Sequence, residues 1–187
     1  THNGTTWVYQ GIGLMLGETN TVNIPTIIGN TFQFLSEGLS WRYGLGGIMT
    51  GNDFENCETY WLRAIAVKGA SLTGNYFEDL RTGTNGVQLG SQATNDFADS
   101  IVFSGNIFEV RKPGQVSILV RHLCNCQITN NRMTGDDGFD ISIQSSPVLL
   151  RDKVYANTVS YRTGKIYNLA GISAADNTLI EVKKGTV

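Results

Sequence analysis

The densest set of groups able to do chemistry is Gly135-Asp136-Asp137-Gly138-Phe139-Asp140. No other stretch puts three carboxylates within five positions. Paired carboxyls are the machinery of glycosidic bond hydrolysis: one donates a proton to the leaving oxygen, and the other activates water or attacks carbon. Crowded like charges also raise one pKa, as an acid that must keep its proton near neutral pH requires. Asp136, Asp137 and Asp140 are therefore the candidate catalytic residues, set against a plain reading as a solvated Asp-Asp-Gly turn. Arg121 and His122 come shortly before them. Arg121 offers a planar fork of donors to a carboxylate or to developing charge, or alternatively an ion pair to Asp140. The acids Asp53, Glu55, Glu58, Glu78 and Asp79 are scattered along the chain and read as surface.

Counting excludes several other chemistries. Cys57, Cys124 and Cys126 are odd in number, with two of them in Cys-Asn-Cys, a poor disulfide framework. They read as buried apolar thiols. With only His2 and His122 beside them, the ligands for a metal site are missing, and no cofactor is expected. The net charge is −2 and no Lys/Arg cluster interrupts the chain, so no nucleic acid partner is expected, because phosphate binding needs a basic stripe. No apolar run approaches the ~20 residues that cross a bilayer, so no membrane insertion is expected. The start, Thr1-His2-Asn3-Gly4-Thr5-Thr6, has neither an initiator Met nor a signal-peptide pattern. The 187 residues read as one domain, 1–187, excised from a longer protein.

The elements that must position these residues follow from a repeat. The pattern apolar, any, small, Asn, any, apolar recurs as Ile27–Phe32, Met49–Phe54, Leu72–Phe77, Phe103–Phe108, Ile128–Met133 and Val154–Val159, with a degenerate copy at Ala174–Leu179. Successive Asn residues, from Asn30 and Asn52 through Asn75, Asn106, Asn131 and Asn157 to Asn177, lie roughly 20–31 residues apart, the length of one turn of a solenoid. Asn tolerates the left-handed backbone of a sharp corner, and a preceding Gly relieves crowding there. Between corners the apolar residues alternate with period two, as in Val116-Ser117-Ile118-Leu119-Val120-Arg121. That is the period of a strand and not of a helix.

These Gly-Asn-x-Phe corners resemble the pectate-lyase-like superfamily of right-handed parallel β-helices, which includes bacteriophage tailspikes and polysaccharide-degrading enzymes. The resemblance runs from about residue 27 to 180. It implies an all-β, right-handed, single-stranded parallel β-helix of about seven coils, each with three strands. The acid segment also resembles motifs of β-helix polygalacturonases and uronan epimerases. It lacks the Gly-His-Gly that follows in the former, and His122 precedes the acids instead.

One strand per coil is long: residues 39–43, 61–68, 86–92, 116–122, 139–144 and 165–169. Alternation turns Val87, Leu89, Ile118, Val120, Phe139, Ile141, Ile143 and Ile166 inward. It turns Arg63, Lys68, Gln88, Ser117, Leu119, Arg121, Asp140, Ser142, Gln144 and Tyr167 outward. Seven strands make an outer face roughly 34 Å long, suited to an extended polar chain such as a glycan. Arg63, Gln88, Arg121, Gln144 and Tyr167 are the candidate substrate-binding residues. Trp41, Tyr43, Trp61 and Tyr167 are candidate sugar-stacking rings or subunit contacts.

The resemblance implies a tail spike or tail fibre domain, on the virion tail or otherwise extracellular, that recognises a bacterial surface glycan as a homotrimer. The alternatives are a polysaccharide depolymerase (hydrolase, lyase or epimerase) and a structural spacer in a trimeric fibre.

Overall fold

The computed structural model describes residues 2–3, 6–7, 11–17, 19–82, 85–91, 98–110, 116–121, 123–124, 126–135, 141–144, 153–155, 157–160, 167–168 and 182–184. Side chains are described for 11–17, 19–82, 85–91, 98–109, 118–119 and 126–132. The described chain winds into a parallel β-solenoid with three principal sheets of seven, seven and six strands, and no helix occurs among the described residues. One sheet holds the strands just before the Asn corner, including Ile48–Thr50, Ser71–Thr73 and Val102–Ser104. A second holds those just after it, including Asp53–Glu55, Tyr76–Glu78 and Ile107–Val110. The third holds the long strands Ile12–Leu16, Glu37–Arg42, Tyr60–Ile65, Asn85–Leu89, Val116–Arg121 and Ile141–Gln144, closing with Tyr167–Asn168.

The corner works by a division of labour. Gly29, Gly51, Gly74 and Gly105 take φ of 66, 62, 65 and 66°, and Asn130 replaces Gly in the fifth copy at 55°. The left-handed turn therefore belongs to the residue before the repeated Asn, which corrects the expectation that the repeated Asn carries it. The Asn that follows uses its amide instead. Its Oδ1 accepts both the backbone N–H and the Nδ2 of the Asn one coil earlier, from Asn30 through Asn52, Asn75 and Asn106 to Asn131, at 2.9–3.1 Å. Asn52, Asn75, Asn106 and Asn131 are buried. Asn157 begins a strand in register with Val182; the degenerate copy at 174–179 lies outside the described residues.

Gly51 isolates the backbone term, since a Cβ built there meets nothing within 4 Å. Gly51→Ala should therefore cost about 1–2 kcal/mol from φ alone, read as a lowered urea midpoint with unchanged slope.

Inside the coil the repeat's second apolar residue builds a ladder of rings. Phe32, Phe54, Phe77 and Phe108 stack at centroid distances of 4.7, 5.1 and 4.7 Å. Leu39, Leu62, Val87 and Ile118 form an inward column on the long strands, each fully buried. The long-strand ladder skips one residue per coil, pairing Tyr60 with Glu37 and then Leu62 with Leu39. At that step two successive residues turn inward. Gly38 and Gly86 occupy the step on either side of Trp61, and a Cβ on Gly86 would lie 2.1 Å from its ring. Trp61 is 1% exposed, packs on Phe77 and donates Nε1–H to Glu78 O. Trp41 is buried in the next inward column with Leu16, Ala64 and Leu89. Both tryptophans are core, which corrects their reading as sugar-stacking rings.

Cys57 and Cys126 are buried free thiols, as expected, and burial pushes the Cys57 thiol up to about 12. The side chain of Cys124 lies outside the described residues.

Candidate functional site

The outer face of the long-strand sheet can be read column by column. Parallel register places Met15, Ser40, Arg63, Gln88, Leu119, Ser142 and Asn168 in one line along the axis. Arg63 stands in it as expected. Its Nη2 is 2.7 Å from Glu37 Oε2, and its Cζ lies 5.3 Å from the Tyr60 ring centroid. Two neighbours therefore hold the guanidinium upright, while its Nε is buried with no hydrogen-bond partner. The same is true of Nε of Arg42, at the end of the adjacent strand.

Two outward expectations need correction. Gln88 is 6% exposed and bends back to donate its amide to Gly90 O at 2.8 Å, so it is spent on its own strand end. Leu119 is 1% exposed and adds no apolar surface. The lesson is local: alternation gives the side from which a residue leaves the strand, not whether its neighbours cover it.

The register also places the backbones of the remaining candidates. Arg121 pairs with Gln144, on adjacent long strands. Tyr167 pairs with Ile141, in the column that contains Ile118 and Leu62, and Asn168 takes the place in line with Arg63. The side chains of Arg121, Gln144 and Tyr167 lie outside the described residues, as do His122, Asp136, Asp137 and Asp140. Ile141, the residue after Asp140, pairs with Ile118. Arg121 is three residues farther along that strand, roughly 10 Å at strand spacing. The register thus sets Arg121 opposite Gln144.

A second polar strip escaped the sequence reading. On the sheet after the corner, Gln33, Glu55, Glu78 and Glu109 stand in one register column, with Thr31, Asp53, Tyr76, Ile107 and Arg132 in another. Acids that look scattered in sequence are stacked in space. Aligning the repeats on Asn and reading the first and third residues after it would have found them. Glu55 accepts from Gln33 Nε2 at 2.6 Å, and the Tyr76 hydroxyl donates toward both Glu78 and Glu109. Asp53 and Glu55 lie two residues apart on one strand, in neighbouring register columns. Burial raises the pKa of each, and neighbouring acids add to the rise. Burial and the two carboxylate partners also raise the Tyr76 phenol. Among the described residues no group of three or more His, Cys, Asp or Glu could hold a metal ion.

The raised carboxyls predict a pH dependence with a definite sign. A carboxyl whose folded pKa exceeds its unfolded one binds more protons when folded, so stability falls as pH rises from the unfolded value through the folded one. Glu55→Gln removes that loss. Melting curves from pH 4 to 8 should show the variant gaining on the wild type as pH rises.

No protein-family model and no curated protein matches the chain. Among solved structures, an alginate lyase from Paenibacillus sp. str. FPU-7 is similar in fold, with a TM-score of 0.53 and 13% identity. The match covers 89% of this chain and 76% of that one. At that identity the likeness concerns the β-solenoid alone.

Proposed function

We propose that this chain binds an extended bacterial surface polysaccharide along the outer face of its long-strand sheet and cleaves it. The observation that carries this reading is Arg63, fixed by Glu37 and Tyr60 on a flat outer column with its side chain partly exposed. A preorganised guanidinium on a solvent-facing strip fits a carboxylate or vicinal hydroxyls of a sugar chain. Arg121 and Gln144, paired on later strands, extend the strip; Tyr167, expected to face outward, falls instead in the register column of Leu62 and Ile118 and is not part of it. Asp136, Asp137 and Asp140 supply the carboxyl pair: a protonated acid donates to the glycosidic oxygen while a carboxylate activates water or attacks the anomeric carbon. The fold likeness to a polysaccharide lyase supports a depolymerase over a passive spacer.

The corner resemblance further supports a tail spike or fibre domain, carried on a virion tail or otherwise extracellular and assembled as a homotrimer. Exposed Ile28, Ile48, Val102 and Ile107 give such an assembly apolar surface to cover. A monomer by light scattering at micromolar concentrations would rule the trimer out.

A second reading moves the chemistry to the strip after the corner, because burial raises the Asp53 and Glu55 carboxyls there and the Tyr76 hydroxyl contacts two carboxylates. One experiment tests the first reading against it. The wild type, Arg63→Ala and Glu78→Gln are incubated with a panel of bacterial capsular polysaccharides and lipopolysaccharides, scoring binding and chain shortening separately. The wild type should bind at least one glycan, and Arg63→Ala should weaken it at least tenfold. Loss in Glu78→Gln with Arg63→Ala unaffected would transfer the site to the other strip.

A further inference from the structure

The long strands end at a corner of a different build from the Asn corner. Arg42 and Ile65 are register partners, and the residues that follow them, Tyr43 and Ala66, take φ of 51 and 56°. Left-handed backbone is disfavoured for any residue with a Cβ, and Gly17 and Gly90 also take positive φ after the neighbouring long strands. Glycine would relieve the strain at position 43, yet the chain keeps a large ring there, 41% exposed. The corner borders a groove of about 220 Å³ lined by Thr21, Tyr43, Gly44, Leu45, Ala66 and Lys68. Gly44 is pinned against buried Trp41, since a Cβ there would lie 2.2 Å from the indole nitrogen. The groove wall therefore rests on the core and is rigid.

Three groups around this groove have donor capacity that no described residue uses. The Lys68 ammonium, the Tyr43 hydroxyl and the Thr21 hydroxyl have no side-chain partner among the described residues. Asp99, the register neighbour of Lys68, accepts from the Ser100 hydroxyl at 2.9 Å. An aromatic ring, a cation and a hydroxyl around a space below drug-sized pockets match one pyranose bearing a negative group. The ring takes the sugar's C–H face, the ammonium takes the anion, and the hydroxyl takes a ring substituent.

We infer that the Thr21–Tyr43–Lys68 groove is a subsite for a single carboxylated sugar residue, off the strand-end edge of the sheet beside Arg63. This rests on the polysaccharide reading and narrows it to glycans containing uronic acids. Tyr43 and Ala66 follow register partners of the long-strand sheet, so a chain lying across that face runs off its edge into the groove.

The test uses the full chain and a panel of uronic-acid oligosaccharides, each paired with its carboxyl-reduced counterpart, with affinities from calorimetry. Lys68→Gln should weaken the acidic member about tenfold and leave the reduced member unchanged. Tyr43→Ala should weaken both, and Tyr43→Phe, which keeps the ring, should retain most of the affinity. Melting temperatures establish that each variant is folded. Wild-type affinity in Lys68→Gln and Tyr43→Ala, with loss in Arg63→Ala, overturns the subsite and leaves the polysaccharide reading standing. Equal affinity for acidic and reduced members overturns the uronate assignment. No binding by the wild type to any acidic or neutral glycan overturns both.

Discussion

Asn75→Ala should lower the stability of this chain by about 3–5 kcal/mol, because it leaves two or more buried groups unpaired at roughly 1–3 kcal/mol each. Asn75 Oδ1 accepts from both the backbone N–H and the Nδ2 of Asn52, at 3.1 and 3.0 Å. Its Nδ2 in turn donates to Met49 O, Thr73 O and Asn106 Oδ1. The residue is 1% exposed, so water cannot replace those partners without opening the corner. An apolar side chain of similar size would fare no better, since the backbone N–H of Asn52 would still lack an acceptor. Asn30 ends the ladder among the described residues and is exposed. Asn30→Ala should therefore cost less than about 1 kcal/mol. Denaturant titration of the two variants decides the matter. Equal small effects would mean that the ladder accompanies the fold and does not hold it.

The second large effect is catalytic. Asp137→Asn and Asp140→Asn should each reduce chain shortening by about a hundredfold or more while leaving glycan binding within a few fold, because the acid and the base act mainly in the transition state. Asn keeps the shape of Asp but neither ionises nor donates a carboxyl proton. Asp140 immediately precedes the long strand Ile141–Gln144, so the segment feeds directly onto the sheet that carries Arg63. A solvated turn would tolerate both changes within about 0.5 kcal/mol of stability and at the wild-type rate. That outcome would send the search to Asp53, Glu55 and Tyr76.

The repeat made the fold legible because it repeats a physical need. At this corner each coil requires a left-handed turn, an inward apolar side chain and an amide to satisfy buried backbone, and Gly74-Asn75-Tyr76-Phe77 states all three in four residues. Which residue took which task was harder to read, since Asn and Gly both tolerate positive φ; the appearance of Asn130 in the Gly position shows the exchange. The site was less legible for two reasons. Trp61 breaks strict alternation because the long strand skips a step where Gly38 and Gly86 make room for its ring. The acid column Glu55–Glu78–Glu109 spans coils of unequal length, so linear spacing hides a stack that register reveals.

The most direct measurement of the central claim is a crystal structure of the chain soaked with fragments of whichever glycan it binds most tightly. Sugar density should lie along the outer face of the long-strand sheet, within hydrogen-bond distance of Arg63 and continuing toward Tyr43 and Lys68. Density confined to the Gln33–Glu109 strip, with the Arg63 face bare, would contradict it.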